Sequence, residues 1–191
     1  MICFPVTIIY EEGLSVGTFF APHVLTYNER IVWNNDTITN KSFTDIGNEV
    51  LNAAATLGVT PHSLDVLTMM SLLHFHKNKV DVAVWENSDN THTNPIAICV
   101  PTITAITRIT NFDNTERGHA LLEKSTKQLL SIVAKDTHVV SADQSKLSLQ
   151  YMQEAAEAQG GVWAMPIRKL AALPYPFEQL HGRCAALAPR S

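Results

Sequence analysis

The side chains best placed to do chemistry lie in and just after the stretch Val16–Val24. A short apolar run ends there in Ala21-Pro22-His23, and a polar loop leads on to the acid–base pair Glu29-Arg30. A buried strand that delivers a loop of functional groups to the edge of a sheet has this pattern. His23, Glu29 and Arg30 are therefore candidate site residues. The alternatives are a partly exposed loop histidine and a surface ion pair of little energetic value.

Carboxylates at the ends of other segments are further candidates. Glu86 follows the apolar run Val80–Trp85, which predicts a buried strand, and neither a helix nor a solvated loop explains an acid there. The alternative is a plain acid at the end of a strand. Asp65 lies near the start of an apolar helical stretch, where it could equally be a first-turn acid favoured by the helix dipole. Asp113-Asn114 ends another predicted strand, at the kind of edge where active sites collect.

Strand-like and helix-like runs alternate along the chain, and this alternation predicts an α/β fold. We expect a mostly parallel sheet with helices on both faces, with the functional loops beyond the carboxyl ends of its strands. The predicted strands are Val16–Phe20, Val80–Trp85, Thr102–Ile109, Thr137–Ser141 and Val162–Met165. The predicted helices are Met1–Gly13, Ser42–Leu57, Pro61–Lys77, His119–Ala134 and Ser145–Gln159.

Composition narrows the class of protein. The 191 residues are 46% hydrophobic and 17% charged, which is typical of a globular domain with a real core. A net charge of −4 gives no electrostatic footprint for nucleic acid, and no run of 18 apolar residues predicts a membrane span. Three widely spaced cysteines favour a reducing compartment, so we expect a cytoplasmic protein.

Five motifs in order, together with a later turn, resemble one enzyme family. They are Ala21-Pro22-His23 with Glu29-Arg30-Ile31, Leu64–Thr68, Val80–Glu86, Thr93-Asn94 and Asp113–Thr115, and the later turn is Ser141–Gln144. In this order and spacing they resemble the central, ATPase-type domain of the folylpolyglutamate synthase and dihydrofolate synthase group within the Mur ligases. The resemblance covers about residues 11 to 188.

The resemblance implies ATP-dependent amide formation, in which glutamate is added to a folate through an acyl phosphate. ATP and Mg²⁺ would be required, and folate, glutamate and ATP would be the small-molecule partners. By the same resemblance, Glu86 and His23 are catalytic, and Ala21, Pro22, His23, Glu29 and Arg30 bind the substrate. Asn94, His181 and Arg183 bind the nucleotide, and Glu86, Asp65, Asp113 and Asn114 bind the metal.

The chain also departs from the family pattern. A Gly-x-x-Gly-Lys-Ser phosphate loop is missing from the 191 residues, and Asn114 stands where the family has a metal-ligating histidine. Residues 1–191 are therefore expected to form a single Mur ligase-like central domain, incomplete at its N-terminus and without the C-terminal domain. A degenerate ligase domain that acts as a binding or interaction module is the alternative.

Overall fold

The computed structural model describes residues 3–87, 95–107, 115–142 and 145–164. Helices and strands alternate over most of this part of the chain, as the sequence predicts. The helices are α1 (Cys3–Glu11), α2 (Asn40–Thr56), α3 (Ser63–Lys77), α4 (Glu116–Leu129) and α5 (Lys146–Ala158). The strands are β1 (Val16–Phe19), β2 (Ile31–Trp33), β3 (Asp36–Thr37), β4 (Val82–Trp85), β5 (Ile103–Ile106), β6 (His138–Ser141) and β7 (Val162–Ala164).

The described strands form two sheets rather than the one predicted. The first has the order β3-β2-β1-β4, and the second has the order β5-β6-β7. In the first sheet, β1 is parallel to β4, with Thr18 opposite Val84, and antiparallel to β2. All neighbours in the second sheet are parallel. The α/β class and the mainly parallel arrangement are confirmed.

The hairpin formed by β2 and β3 was not predicted. Asn34 and Asn35 both have positive φ, 46° and 70°, which suits the tight two-residue turns that join antiparallel strands. The Asn34 side chain also accepts a hydrogen bond from the Val16 amide at 2.8 Å, which ties the turn to β1. Two asparagines between Ile-Val-Trp and Asp-Thr-Ile were the signal for this turn in the sequence.

The first sheet is packed against α2 and α3. Apolar side chains of both helices meet Phe19 of β1 and Ile31 of β2, and both of these side chains are almost fully buried. Thr39 caps α2 by accepting the Ser42 amide, which satisfies one of the free amides of the first turn. All four residues of β1 are buried, so this central strand is covered on both faces, and α1 is a further element in contact with it.

The second sheet has its own core. Val139 of β6 lies under Met152 and Ala156 of α5, and all three are fully buried. Leu130, just after α4, completes this core. Helix α4 begins earlier than predicted because Thr115 caps it by accepting the Gly118 amide at 3.0 Å.

The burial predicted for β4 was wrong, although the strand itself is present. Its side chains are partly or largely exposed, because among the described strands β4 pairs with β1 alone. Ile103 of β5 is likewise 58% exposed at the edge of the second sheet. The hydrophobic pattern of the sequence predicts the strand, whereas the burial of its side chains depends on which element packs against it. Within the described residues, no helix is long and apolar enough to cross a membrane.

Candidate active site

The candidate site lies where β1 and β4 end side by side. The Glu86 amide donates to the Phe19 carbonyl at 2.9 Å, which extends the parallel pairing by one residue. The Glu86 carboxylate then accepts a hydrogen bond from the Ala21 amide at 3.3 Å. The acid that follows β4 is therefore joined to the loop that follows β1. Glu86 and Ala21-Pro22 were both predicted from sequence, and the structure brings them together.

Residues 21–29 form a closed loop between β1 and β2. At its base, the Phe20 amide donates to the Arg30 carbonyl at 2.9 Å. At its tip, the side chains of Val24 and Leu25 are 87% and 85% exposed. The loop thus places two apolar side chains in solvent next to the polar groups of the site.

Glu29 holds the loop in shape. Its carboxylate accepts hydrogen bonds from the backbone amides of Val24 at 2.8 Å, Leu25 at 3.0 Å and Thr26 at 2.7 Å. The bond from Val24 and then that from Thr26 do most to lower the pKa of Glu29, because both stabilise its charged form. The charge of Glu29 is thus directed at the backbone of its own loop.

Arg30 is bonded to His23 across the loop. Its Nε donates to Nδ1 of His23 at 2.9 Å. The ring of Tyr27 lies against the imidazole, with centroids 4.3 Å apart and planes 41° from parallel. The sequence suggested a surface ion pair between Glu29 and Arg30 as an alternative, but the structure gives each side chain its own partner within the loop.

Asp65 lies in the first turn of α3 and caps that helix. Its carboxylate accepts the His62 amide at 2.8 Å. Further along α3, Ser71 meets Trp85 at the end of β4, whereas Phe75 lies against Gly17 in the middle of β1. The helix therefore runs antiparallel to β4, and its first turn lies beyond the carboxyl end of that strand. Asp65 is at the same end of the sheet as Glu86, but its carboxylate is engaged in capping.

The remaining predicted site residues lie outside the described part of the chain. These are Asn94, His181 and Arg183 for the nucleotide, and Asp113 and Asn114 for the metal. In the described ranges, no three histidine, cysteine, aspartate or glutamate side chains are grouped closely enough to hold a metal ion. Glu86 and Asp65 therefore do not form a complete metal site by themselves.

Two features of the site were missed at the sequence level. Tyr27 was not singled out, although an aromatic residue four positions after a histidine in a short loop was a usable signal. The exposed pair Val24-Leu25 was not singled out either. Both features depend on how the loop closes, and Glu29 decides that closure through bonds to three backbone amides.

Comparison with known proteins gives a consistent result. No protein-family model matches the chain. A dihydrofolate synthase/folylpolyglutamate synthase of Bacillus subtilis is 25% identical over 183 residues, which is 93% of this chain and 39% of that protein. A probable bifunctional folylpolyglutamate synthase/dihydropteroate synthase of Halobacterium salinarum is 26% identical over 142 residues, which is 73% of this chain and 17% of that protein.

A solved structure of a bifunctional folylpolyglutamate synthase/dihydrofolate synthase, with Mn, AMPPNP and L-glutamate bound, has the same fold. It matches with a TM-score of 0.79 and 19% identity over 97% of this chain and 48% of the solved chain. The sequence relative from Bacillus subtilis and this solved structure both belong to the folylpolyglutamate and dihydrofolate synthases. The resemblance read from the motifs is thereby confirmed. The chain spans less than half the length of each of these proteins.

Proposed function

We propose that this chain forms the acid-binding part of a folylpolyglutamate or dihydrofolate synthase, which joins glutamate to a folate in an ATP-dependent reaction. One observation carries the proposal. The Ala21–Arg30 loop and the Glu86 carboxylate converge at the carboxyl ends of β1 and β4, where parallel sheets bind their ligands. The sequence relatives supply the reaction class.

The loop has the chemistry that a folate-like acid needs. The exposed side chains of Val24 and Leu25 can pack against a flat aromatic ring system. His23 and Arg30 add polar hydrogen-bonding groups beside them. We assign Ala21, Pro22 and His23 to contacts with the acid, Arg30 to charge recognition and Glu29 to holding the loop in shape.

The described residues fit Mg²⁺ only as part of a larger ligand set. Glu86 and Asp65 offer carboxylate oxygens, the ligands that Mg²⁺ prefers, at one end of the sheet. In phosphoryl-transfer sites the ion takes one or two carboxylates and completes its shell with water and phosphate oxygens. We propose that Glu86 is the main protein ligand, with Asp65, Asp113 and Asn114 as further ligands. A bound ion would help to neutralise charge on the transferred phosphoryl group.

The nucleotide side of the site is assigned from the sequence. Asn94, His181 and Arg183 are proposed to contact ATP, on the resemblance alone. The 191 residues contain no Gly-rich Lys-Ser loop to bind the phosphates. Loss of a single group of this kind from an active site costs about 10²–10³ in rate. We therefore expect this chain alone to bind the acid but to convert it only very slowly.

In the proposed reaction, a folate carboxylate attacks the γ-phosphoryl group of ATP and displaces ADP. The amine of glutamate then attacks the resulting acyl phosphate and displaces phosphate. This chain's part is to bind and orient that carboxylate. The loop fixes the acid at the sheet edge, and Glu86 holds the Ala21 amide in place beside it. Positioning of this kind is the main protein contribution in phosphoryl transfer.

A second candidate function is a binding module without catalysis. The missing phosphate loop favours it, because the acid-binding loop is formed whereas the phosphate-binding groups are not in this sequence. The two candidates make opposite predictions for turnover but the same prediction for binding of the acid. The cytoplasmic location stays a prediction.

Two measurements on the 191-residue chain test these proposals. Titration with folate, followed by tryptophan fluorescence, is expected to show saturable binding. Phosphate release with ATP, Mg²⁺, folate and glutamate then separates enzyme from module. Glu86→Gln is expected to weaken any Mg²⁺-dependent turnover or binding, whereas Glu12→Gln, a change of the same kind at an exposed position, is the control. Absence of folate binding at millimolar concentration would refute the acid-binding assignment.

A further inference from the structure

The bond between Arg30 and His23 fixes which nitrogen of the imidazole carries the proton. Arginine is always protonated in proteins and its Nε–H can only donate. At 2.9 Å from Nδ1 of His23, it requires a lone pair on that nitrogen. A neutral His23 must therefore carry its proton on Nε2. In this state the ring offers one donor, Nε2–H, while its only acceptor nitrogen is already used.

The surroundings of the pair favour an anionic ligand. Glu29, which precedes Arg30 in sequence, directs its carboxylate at the amides of Val24, Leu25 and Thr26 and not at Arg30. Within the described residues, the guanidinium makes no hydrogen bond other than the one to His23. Its two terminal nitrogens therefore have no partner in the described part of the chain. A guanidinium with a neighbouring N–H donor is well matched to a carboxylate.

The position of the ring is also restrained. Tyr27 packs on the imidazole, with centroids 4.3 Å apart. Arg30 immediately precedes β2, and its carbonyl accepts a hydrogen bond from the Phe20 amide at the base of the loop. The donor is therefore held between a strand and an aromatic ring, so its rotational freedom is largely lost before any ligand arrives.

We propose that Arg30 is a positioning residue that holds His23 as the Nε2–H tautomer, and that the two side chains together bind a carboxylate of the acid substrate. The proposal rests on the proposed function for the identity of that acid. It gives His23 the role of a hydrogen-bond donor and excludes a role as a general base from this state.

Nitrogen NMR of the protein with isotope-labelled histidine tests the tautomer without any ligand. At mildly alkaline pH, wild-type His23 is expected to show a protonated Nε2 and an unprotonated Nδ1. His23→Gln identifies the signal by removing it. Arg30→Met is expected to give a mixture of tautomers, whereas Arg117→Met, at an exposed position on α4, leaves the signal unchanged. A protonated Nδ1 in the wild type would overturn the proposal even if the Arg30 variant did not fold.

Binding of folate tests the donor role separately. His23→Gln keeps a donor at the position of Nε2 and is expected to bind folate nearly as well as wild type. His23→Ala removes the donor and is expected to weaken binding about 10- to 100-fold, the usual effect of losing a hydrogen bond to a charged group. Equal binding by the Gln and Ala variants would contradict the donor role. If the tautomer is as expected but no variant binds folate, the proposed function fails and the tautomer assignment stands.

Discussion

Gly17, in the middle of β1, provides a sharp test of how the site-bearing strand is packed. A β-carbon built on Gly17 would lie 2.6 Å from both Cγ and Cδ1 of Phe75 and 2.9 Å from Cε1. Phe75 is only 2% exposed, and its ring packs against Trp85 with centroids 5.4 Å apart. The ring therefore has little room to move away, and Gly17→Ala must either displace it or shift the strand.

The expected loss of stability follows from two opposing contributions. Overpacking a well-filled core costs about 1–3 kcal/mol, and this rigid contact falls toward the upper end. Replacing glycine by alanine in a strand stabilises the folded state by roughly 0.5–1 kcal/mol, because alanine loses less backbone entropy on folding. We expect Gly17→Ala to destabilise the protein by about 2 kcal/mol. For a chain of this size that corresponds to a melting point lower by roughly 4–8 °C.

Urea and thermal unfolding followed by tryptophan fluorescence measure this loss, with Trp85 as a reporter beside Phe75. Gly47→Ala is the matched control. Its β-carbon would meet only the flexible end of Met70 at 3.5 Å, and the glycine lies inside α2. That change should stabilise the protein by about 0.5–1 kcal/mol.

A double variant shows whether the ring is the cause. In a Phe75→Leu background the side chain is smaller, so the cost of Gly17→Ala should fall below about 1 kcal/mol, a coupling typical of residues in contact. If Gly17→Ala is as stable as wild type, or if the leucine brings no relief, the close contact between β1 and α3 does not exist as described.

Three further predictions concern the loop, a helix cap and the second core. The pKa of Glu29 is lowered, so the charged carboxylate orders the loop fully above the ordinary glutamate pKa and stops doing so as pH falls through the lowered value. Hydrogen exchange at the Leu25 amide should speed up over that pH range. Glu29→Gln should show the same faster exchange at neutral pH. A loop as well protected in Glu29→Gln as in wild type would contradict this. Thr39→Ala is expected to cost about 1 kcal/mol by removing the cap of α2, and an unchanged urea midpoint would argue against that cap. Met152→Ala should cost about 2–5 kcal/mol, with the exposed Leu121→Ala as its control, and equal losses for the two would show that the second core is not packed as described.

The helices were the most predictable part of this fold. Ser42–Leu57 was read as a helix from its apolar spacing, and α2 begins only two residues earlier, after Thr39. A long amphipathic run with a capping threonine contains enough local information to fix its own position. The same holds for α5, where Ser145 caps the helix by accepting the Ser148 amide.

Burial in the sheets was less predictable because it depends on partners distant in sequence. Val82–Trp85 has the composition of a central strand, but among the described strands it pairs with β1 on one edge and has no partner on the other. Within the site, the motif identified His23, Glu29 and Arg30 as a group. Their separate roles depend on distances across a loop, such as the 2.9 Å between Arg30 and His23, and no spacing in the sequence specifies those.

The two separate hydrophobic cores have a consequence for how the protein unfolds. The core of the first sheet, built around Phe19 and Ile31, shares no residue with the core of the second sheet, built around Val139 and Met152. Two short 3-10 helices lie between the cores: Pro95–Ile98 contacts both α3 and the second one, Leu130–Ile132. Local opening of each half can thus have its own free energy, below that of global unfolding. A folate bound at the loop would protect the first half from exchange and leave the second nearly unaffected.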